Sequence, residues 1–161
     1  MDIWTERLER EHLTVLSRWI GHGDGALTEN DLPPDAAGLA SWFDAGAAEP
    51  GRLDCLALVY ETPVGLAGLR RDGADGAARL WLLLGERGYN PLRTATYVTL
   101  RMLDRAFLEL GFARVRVRAR PGCGWYREVL EKMGFSRADE GEELLALQVE
   151  KQVYLGRKYL F

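Results

Sequence analysis

Residues 80–135 read LWLLLGERGYNPLRTATYVTLRMLDRAFLELGFARVRVRARPGCGWYREVLEKMGF, and the changes of period inside that stretch decide the fold. Leu80 to Leu84 is the apolar part of a short run from Arg79 that predicts a strand. From Ala95 the apolar residues return at helical spacing, through Val98, Met102, Leu103, Ala106, Phe107 and Leu110, until Gly111 stops them. Ala113, Val115, Val117 and Ala119 then alternate with Arg114, Arg116, Arg118 and Arg120, the pattern of a strand with one apolar and one basic face. A shorter helix is expected from Trp125 to Met133, carrying Tyr126, Val129, Leu130 and Met133 on one stripe, with Gly134-Phe135 as its cap.

Upstream, Ile3 to Glu9 is expected as a short edge strand. Glu11 to Ile20 reads as a helix with Leu13, Leu16, Trp19 and Ile20 on one face. Residues 21–34, rich in Gly, Asp, Asn and Pro, form a long loop, a kind of segment that often carries function. Pro33-Pro34-Asp35 opens a second helix with Leu39, Trp42 and Phe43. Asp54 to Tyr60, Val64 to Arg70 and Arg79 to Leu84 form a three-strand meander, and Leu144 to Val149 with Gln152 to Leu160 are expected as two final strands. The sum is an α/β (α+β) domain spanning residues 1–161, with a mixed sheet of about six to seven strands and helices on both faces.

A chain of 161 residues, 47% of them hydrophobic, has the size of one domain around one core. Its net charge of −3 gives no basic pull toward nucleic acid or an anionic membrane, so a small soluble ligand is the expected partner. No apolar run approaches a bilayer span, and Met1 to Arg10 lacks the pattern of a signal peptide, so a cytoplasmic location is expected. Cys55 and Cys123 lie in different elements with no ligand spacing around them, which points to neither a disulfide framework nor a metal site.

The segment from Leu80 to Phe135 resembles the GNAT superfamily of acyl-CoA N-acyltransferases, especially its ribosomal-protein N-terminal acetyltransferase branch. That branch sets a turn of the form Arg/Gln-x-x-Gly-x-Gly/Ala between a strand and a long helix ending in Leu-Gly, then a strand, then a helix ending in Glu-Lys-x-Gly-Phe. Leu110-Gly111 and LEKMGF at Leu130 to Phe135 carry the match. The resemblance implies transfer of an acetyl or similar acyl group from its coenzyme A thioester to a primary amine, of a small molecule or peptide, by direct attack in a ternary complex. It further implies that Leu83, Leu84 and Gly85 orient the thioester where two parallel strands part, and that Arg93, Thr94, Ala95 and Thr96 meet the pyrophosphate at a helix N-terminus. Cys123 falls where the branch often has Asn beside the coenzyme.

The glycine turn itself is degenerate. With Ala95-Thr96 aligned to the family's Ala-Thr, Asn90 stands in place of Arg or Gln, Pro91 and Leu92 follow, and Arg93 takes the place of the key glycine. Proline removes a donor and a side chain at 93 crowds the phosphates, yet a guanidinium there also offers a phosphate its own charge. Three readings stay open: a remodelled coenzyme site using Arg93 and Thr94, a ligand-binding or interaction protein that has lost the coenzyme, and an alignment one residue out of place.

Tyr126 is the candidate general acid toward the leaving thiolate, with a structural aromatic as the competing reading. Cys123 as a nucleophile lacks a base nearby in sequence. Glu86 is the candidate general base, with Glu29 and Asp31 behind it and His12 and His22 further back. The arginine row is expected to pair with Asp139, Glu140, Glu142 and Glu143. Trp4, Trp81 and Tyr159 belong either to a homodimer seam or to the core.

Overall fold

The computed structural model describes residues 2–20, 25–138 and 145–161. Strand β1 is Ile3–Arg7, helix α1 Leu13–Ile20 and helix α2 Leu39–Ala47. The meander follows as β2 (Leu53–Val59), β3 (Thr62–Arg71) and β4 (Ala77–Leu84). Helix α3 is Pro91–Asp104, continued by a π turn over Arg105–Glu109. Then come β5 (Arg114–Ala119), α4 (Gly124–Lys132), β6 (Ser136–Arg137), β7 (Leu145–Glu150) and α5 (Lys151–Arg157). The strands form one mixed sheet in the order β1-β2-β3-β4-β5-β7-β6, with β4 and β5 its parallel pair.

Strand alternation sends Cys55, Ala57, Ala67, Leu69, Leu80 and Leu82 to one face, where they meet Val98, Met102, Phe107 and Leu130 of α3, its π turn and α4. Leu56, Leu58, Leu66, Trp81 and Leu83 go to the other, against Leu16 and Trp19 of α1 and Leu39 of α2. The expected layers are therefore present.

Three local outcomes differ from the sequence reading. Helix α3 begins at Pro91, four residues before the expected Ala95, because Asn90 caps it: its Oδ1 accepts the Arg93 N–H at 3.1 Å and Pro91 fills the first helical position. Residues 91–94 are thus a helical turn rather than a loop. The chain also ends in α5 instead of a last strand. The Lys151 N–H donates to Ala113 O at 3.1 Å, and Tyr154, fully buried, donates to Asp104 Oδ1 at 2.8 Å, so docking on α3 overrides the local strand pattern. The two-residue β6 was not foreseen.

The cap on α4 forms as the sequence indicates. Gly134 has φ 104°, its N–H donates to Glu131 O, and the Phe135 N–H reaches Leu130 O, each at 3.0 Å. At the opposite sheet edge, the Leu8 N–H donates to Asp54 O, which makes the alternate residues Ile3 and Thr5 present their backbone groups outward. Arg101 Nε donates to Ile3 O at 3.0 Å and Arg105 donates to Thr5 O at 2.6 Å.

Asp139, Glu140, Glu142 and Glu143, expected beside the arginine row, lie outside the described residues. The described partners are others: Asp72 and Asp75 for Arg116, Asp75 and Glu150 for Arg114, and Glu29 for Arg118. Of the three scattered aromatics, Trp81 is core, while Trp4 and Tyr159 are exposed.

Candidate active site

β4 and β5 pair only from Ala77/Arg114 to Leu80/Val117 and then part. The wedge they leave is bridged by residues 25–29. The Leu84 N–H donates to Gly25 O at 2.7 Å, the Leu27 N–H to Leu82 O at 3.1 Å, and the Leu82 N–H to Thr28 Oγ1 at 3.1 Å. On the β5 side the Arg120 N–H donates to Leu27 O at 3.0 Å and the Glu29 N–H to Arg118 O at 2.9 Å. The strap takes up backbone groups that the parting of the strands would otherwise leave unpaired.

A cleft of about 460 Å³ opens on the α3/α4 side of the strap, lined among others by Leu84, Gly85, Glu86, Tyr89, Cys123 and Trp125. Across the strap a second cavity of about 180 Å³ is lined by Ile20, Ala26, Leu32, Leu83 and Arg120. Trp19 borders both. Its indole sits so close to Gly85 that a Cβ there would fall 2.1 Å from the ring, and its Nε1 donates to Glu86 Oε1 at 3.1 Å. Glu86 is thereby held at the mouth of the cleft with one oxygen oriented and its side chain 36% exposed.

The loop behind the strap is tied down electrostatically. Arg70 donates to Asp31 Oδ2 at 3.0 Å and lies 2.7 Å from Asp54 Oδ1, while Arg52 meets Asp54 Oδ2 at 3.0 Å. Burial alone raises the Asp31 carboxyl, but the bonds from Arg70 and Trp42 outweigh it and hold it below the usual range. Asp31 is thus an anchor, and Glu29 is turned toward Arg118.

The architecture matches solved structures. A mutant of spermidine N-acetyltransferase SpeG from Vibrio cholerae superposes with a TM-score of 0.79 at 13% identity, over 96% of this chain and 97% of that one. The same enzyme in complex with CoA and spermine gives 0.72 at 14% identity, over 95% and 98%. Its dodecameric form in an intermediate state gives 0.78 at 13% identity, over 97% and 98%. The fold is that of the GNAT acyltransferases. No protein-family model matches the chain, and no curated protein does.

On the GNAT frame the expected residues divide. Leu84, Gly85, Glu86 and Cys123 converge on the cleft, whereas Leu83 faces the second cavity. Thr94 and Ala95 are buried in the first turn of α3 and turn their side chains from solvent, Thr96 back-bonds to Leu92 O at 2.7 Å, and Arg93 is exposed. Of the helix's free N–H groups, proline removes one and Asn90 occupies another, so this N-terminus offers an anion less backbone than a glycine turn would.

Tyr126 is not at the cleft. It is 0% exposed, its hydroxyl pairs with Thr99 Oγ1 at 2.9 Å, and burial pushes its pKa far up. The side chain is on the apolar stripe of α4, which is what places it in the core. Cys123 lines the cleft as a neutral thiol, since burial raises its pKa and nearby Arg120 offsets this only in part. Trp19, Gly25, Tyr89 and Trp125 were missed. Trp19 and Gly25 are separated in sequence from Tyr89, and Tyr89 from Trp125, by whole elements, and only the topology gathers them. Among the described residues no cluster has the makings of a metal site, and no helix is long and apolar enough to cross a membrane.

Proposed function

We propose that the chain is an acyl-CoA-dependent N-acyltransferase that moves an acetyl or similar small acyl group to a primary amine by direct attack. The observation that carries this is the parting of β4 from β5 with the cleft opening onto Leu84 and Gly85 and an oriented carboxylate at its mouth. Spermidine N-acetyltransferases of the same fold, one solved with CoA and spermine, support it. The cleft has the volume and the apolar aromatic lining for an acylated pantetheine arm, which supplies the activated acyl group.

In this reading Glu86 takes a proton from the substrate ammonium, the freed amine attacks the thioester carbonyl as the C–S bond breaks, and the Tyr89 hydroxyl or Cys123 thiol gives a proton to the departing sulfur. Trp19 and Trp125 exclude water and give the amine aromatic faces. Arg93 replaces the missing glycine backbone as the phosphate contact at α3. The acceptor is a primary amine whose ammonium meets Glu86, the one carboxylate among the described residues lining the two cavities.

The test is calorimetric titration with acetyl-CoA, followed by thiol-release assays over a panel of monoamines, peptide N-termini and spermidine. Binding, turnover with a primary amine, and a fall in kcat of about 10²-fold or more in Glu86→Gln are expected. No heat at millimolar acetyl-CoA would overturn the proposal.

A further inference from the structure

The strap over residues 25–29 does to the wedge what an extended amide-bearing ligand would do. It inserts between two strand edges and uses their inward-facing N–H and C=O groups, at Leu82 and Leu84 on one side and Arg118 and Arg120 on the other. The fit is built in at two residues. Gly25 lies against β4 so closely that a Cβ would stand 2.0 Å from Leu84 O, a contact no side chain tolerates. Thr28 is 0% exposed and spends its hydroxyl on the Leu82 N–H and the Glu29 carbonyl. The strap is also the wall between the two cavities, with Gly25 and Leu27 lining one and Ala26 the other.

From this we infer that residues 25–28 are a built-in competitor for the coenzyme arm, with Gly25 and Thr28 setting how tightly acyl-CoA binds. The inference rests on the acyl-CoA reading above. An arm whose amides bond to Leu84 and Leu82 displaces Gly25 and Thr28 from those same groups, since each backbone N–H serves one strong acceptor. Asp31, clamped by Arg70, holds the downstream end in place. Lifting of the Gly25 end joins the two cavities, so the passage through the sheet opens as the arm seats. The free protein keeps the passage shut and the wedge satisfied.

The experiment pairs acetyl-CoA titration of the full chain and of Gly25→Ala and Thr28→Val with amide hydrogen exchange. Gly25→Ala, unable to seat against Leu84 O, is expected to bind acetyl-CoA about tenfold more tightly, the equivalent of one net hydrogen bond no longer broken on binding. Thr28→Val is expected to shift affinity in the same direction by less. In the unsubstituted protein the Leu27 amide is expected to exchange faster when acetyl-CoA is saturating, while Leu84 stays protected. A folded Gly25→Ala that binds no tighter than the parent overturns the inference, and so does added protection at Leu27, a readout that needs no variant. If neither the parent nor either variant binds, the acyl-CoA reading itself falls.

Discussion

The two faces of the sheet use the same strands and are held by different forces. Under α3 and α4 the contacts are almost wholly apolar, with Met102, Phe107, Val115, Val117, Leu130 and Met133 all at most 1% exposed and the Thr99–Tyr126 hydroxyl pair as a polar insertion. Under α1 and α2 the apolar patch is smaller, and beside it runs an ion ladder from Arg52 through Asp54 and Arg70 to Asp31. Guanidinium groups also cover rings there, Arg52 at 4.9 Å from the Trp42 centroid and Arg70 at 5.7 Å from that of Trp81. A helix brings its own backbone bonds and needs only an apolar stripe to dock. A loop does not, so the loop carrying the strap is fixed by directed charge pairs.

This contrast is most exposed at Arg70. Replacing it by Met takes the ion-pair partner from Asp31 and leaves Asp54, 12% exposed, with Arg52 alone, and is expected to cost about 3 kcal/mol in chemical denaturation. For the proposed acyl transfer it should also raise KM for the amine, since the strap's anchor is gone. Leu130→Ala on the other face is expected to cost about 2–5 kcal/mol and to leave kcat and KM of the proposed reaction where they were. Kinetic effects of equal size from both variants would erase the distinction between a packed face and an anchored one.

Tyr126→Phe separates core from chemistry more finely. It leaves Thr99 short of a partner and should cost about 1 kcal/mol, with an unchanged pH–rate profile. A lost alkaline limb would return Tyr126 to the reaction. The smallest effect concerns Cys55, whose thiol burial lifts from 9.0 to about 11. Its folded pKa is raised, so its contribution is complete below pH 9 and is lost as pH climbs toward 11. Cys55→Ala should therefore lose less melting temperature across that interval than the parent.

Much of the fold was legible because period and punctuation agree. The arginine alternation marks β5, the stripe ending at Gly111 marks α3, and Gly134-Phe135 closes α4 as read. The C-terminal helix was not legible, because what selects it is distant: Tyr154 finding Asp104 and Leu100 on α3. Asn90-Pro91 carries a helix-start signal of its own, an N-cap followed by proline, which is masked by the resemblance of the same residues to a phosphate turn. Of the residues that line the cleft, Glu86 and Cys123 were reachable from motif position. Trp19, Gly25 and Tyr89 were not, since no sequence pattern states that an early loop crosses a wedge between later strands.

Arg101 of α3 and Arg105 of its π turn, which reach β1, also bear on assembly. An edge strand normally offers its outward carbonyls to any passing strand, and Arg101 and Arg105 have already claimed those of Ile3 and Thr5. The sheet therefore resists growing at that end by addition of a foreign strand. Association of copies of this chain is turned toward side-chain surfaces, and the first strand is guarded against aggregation while α3 is folded.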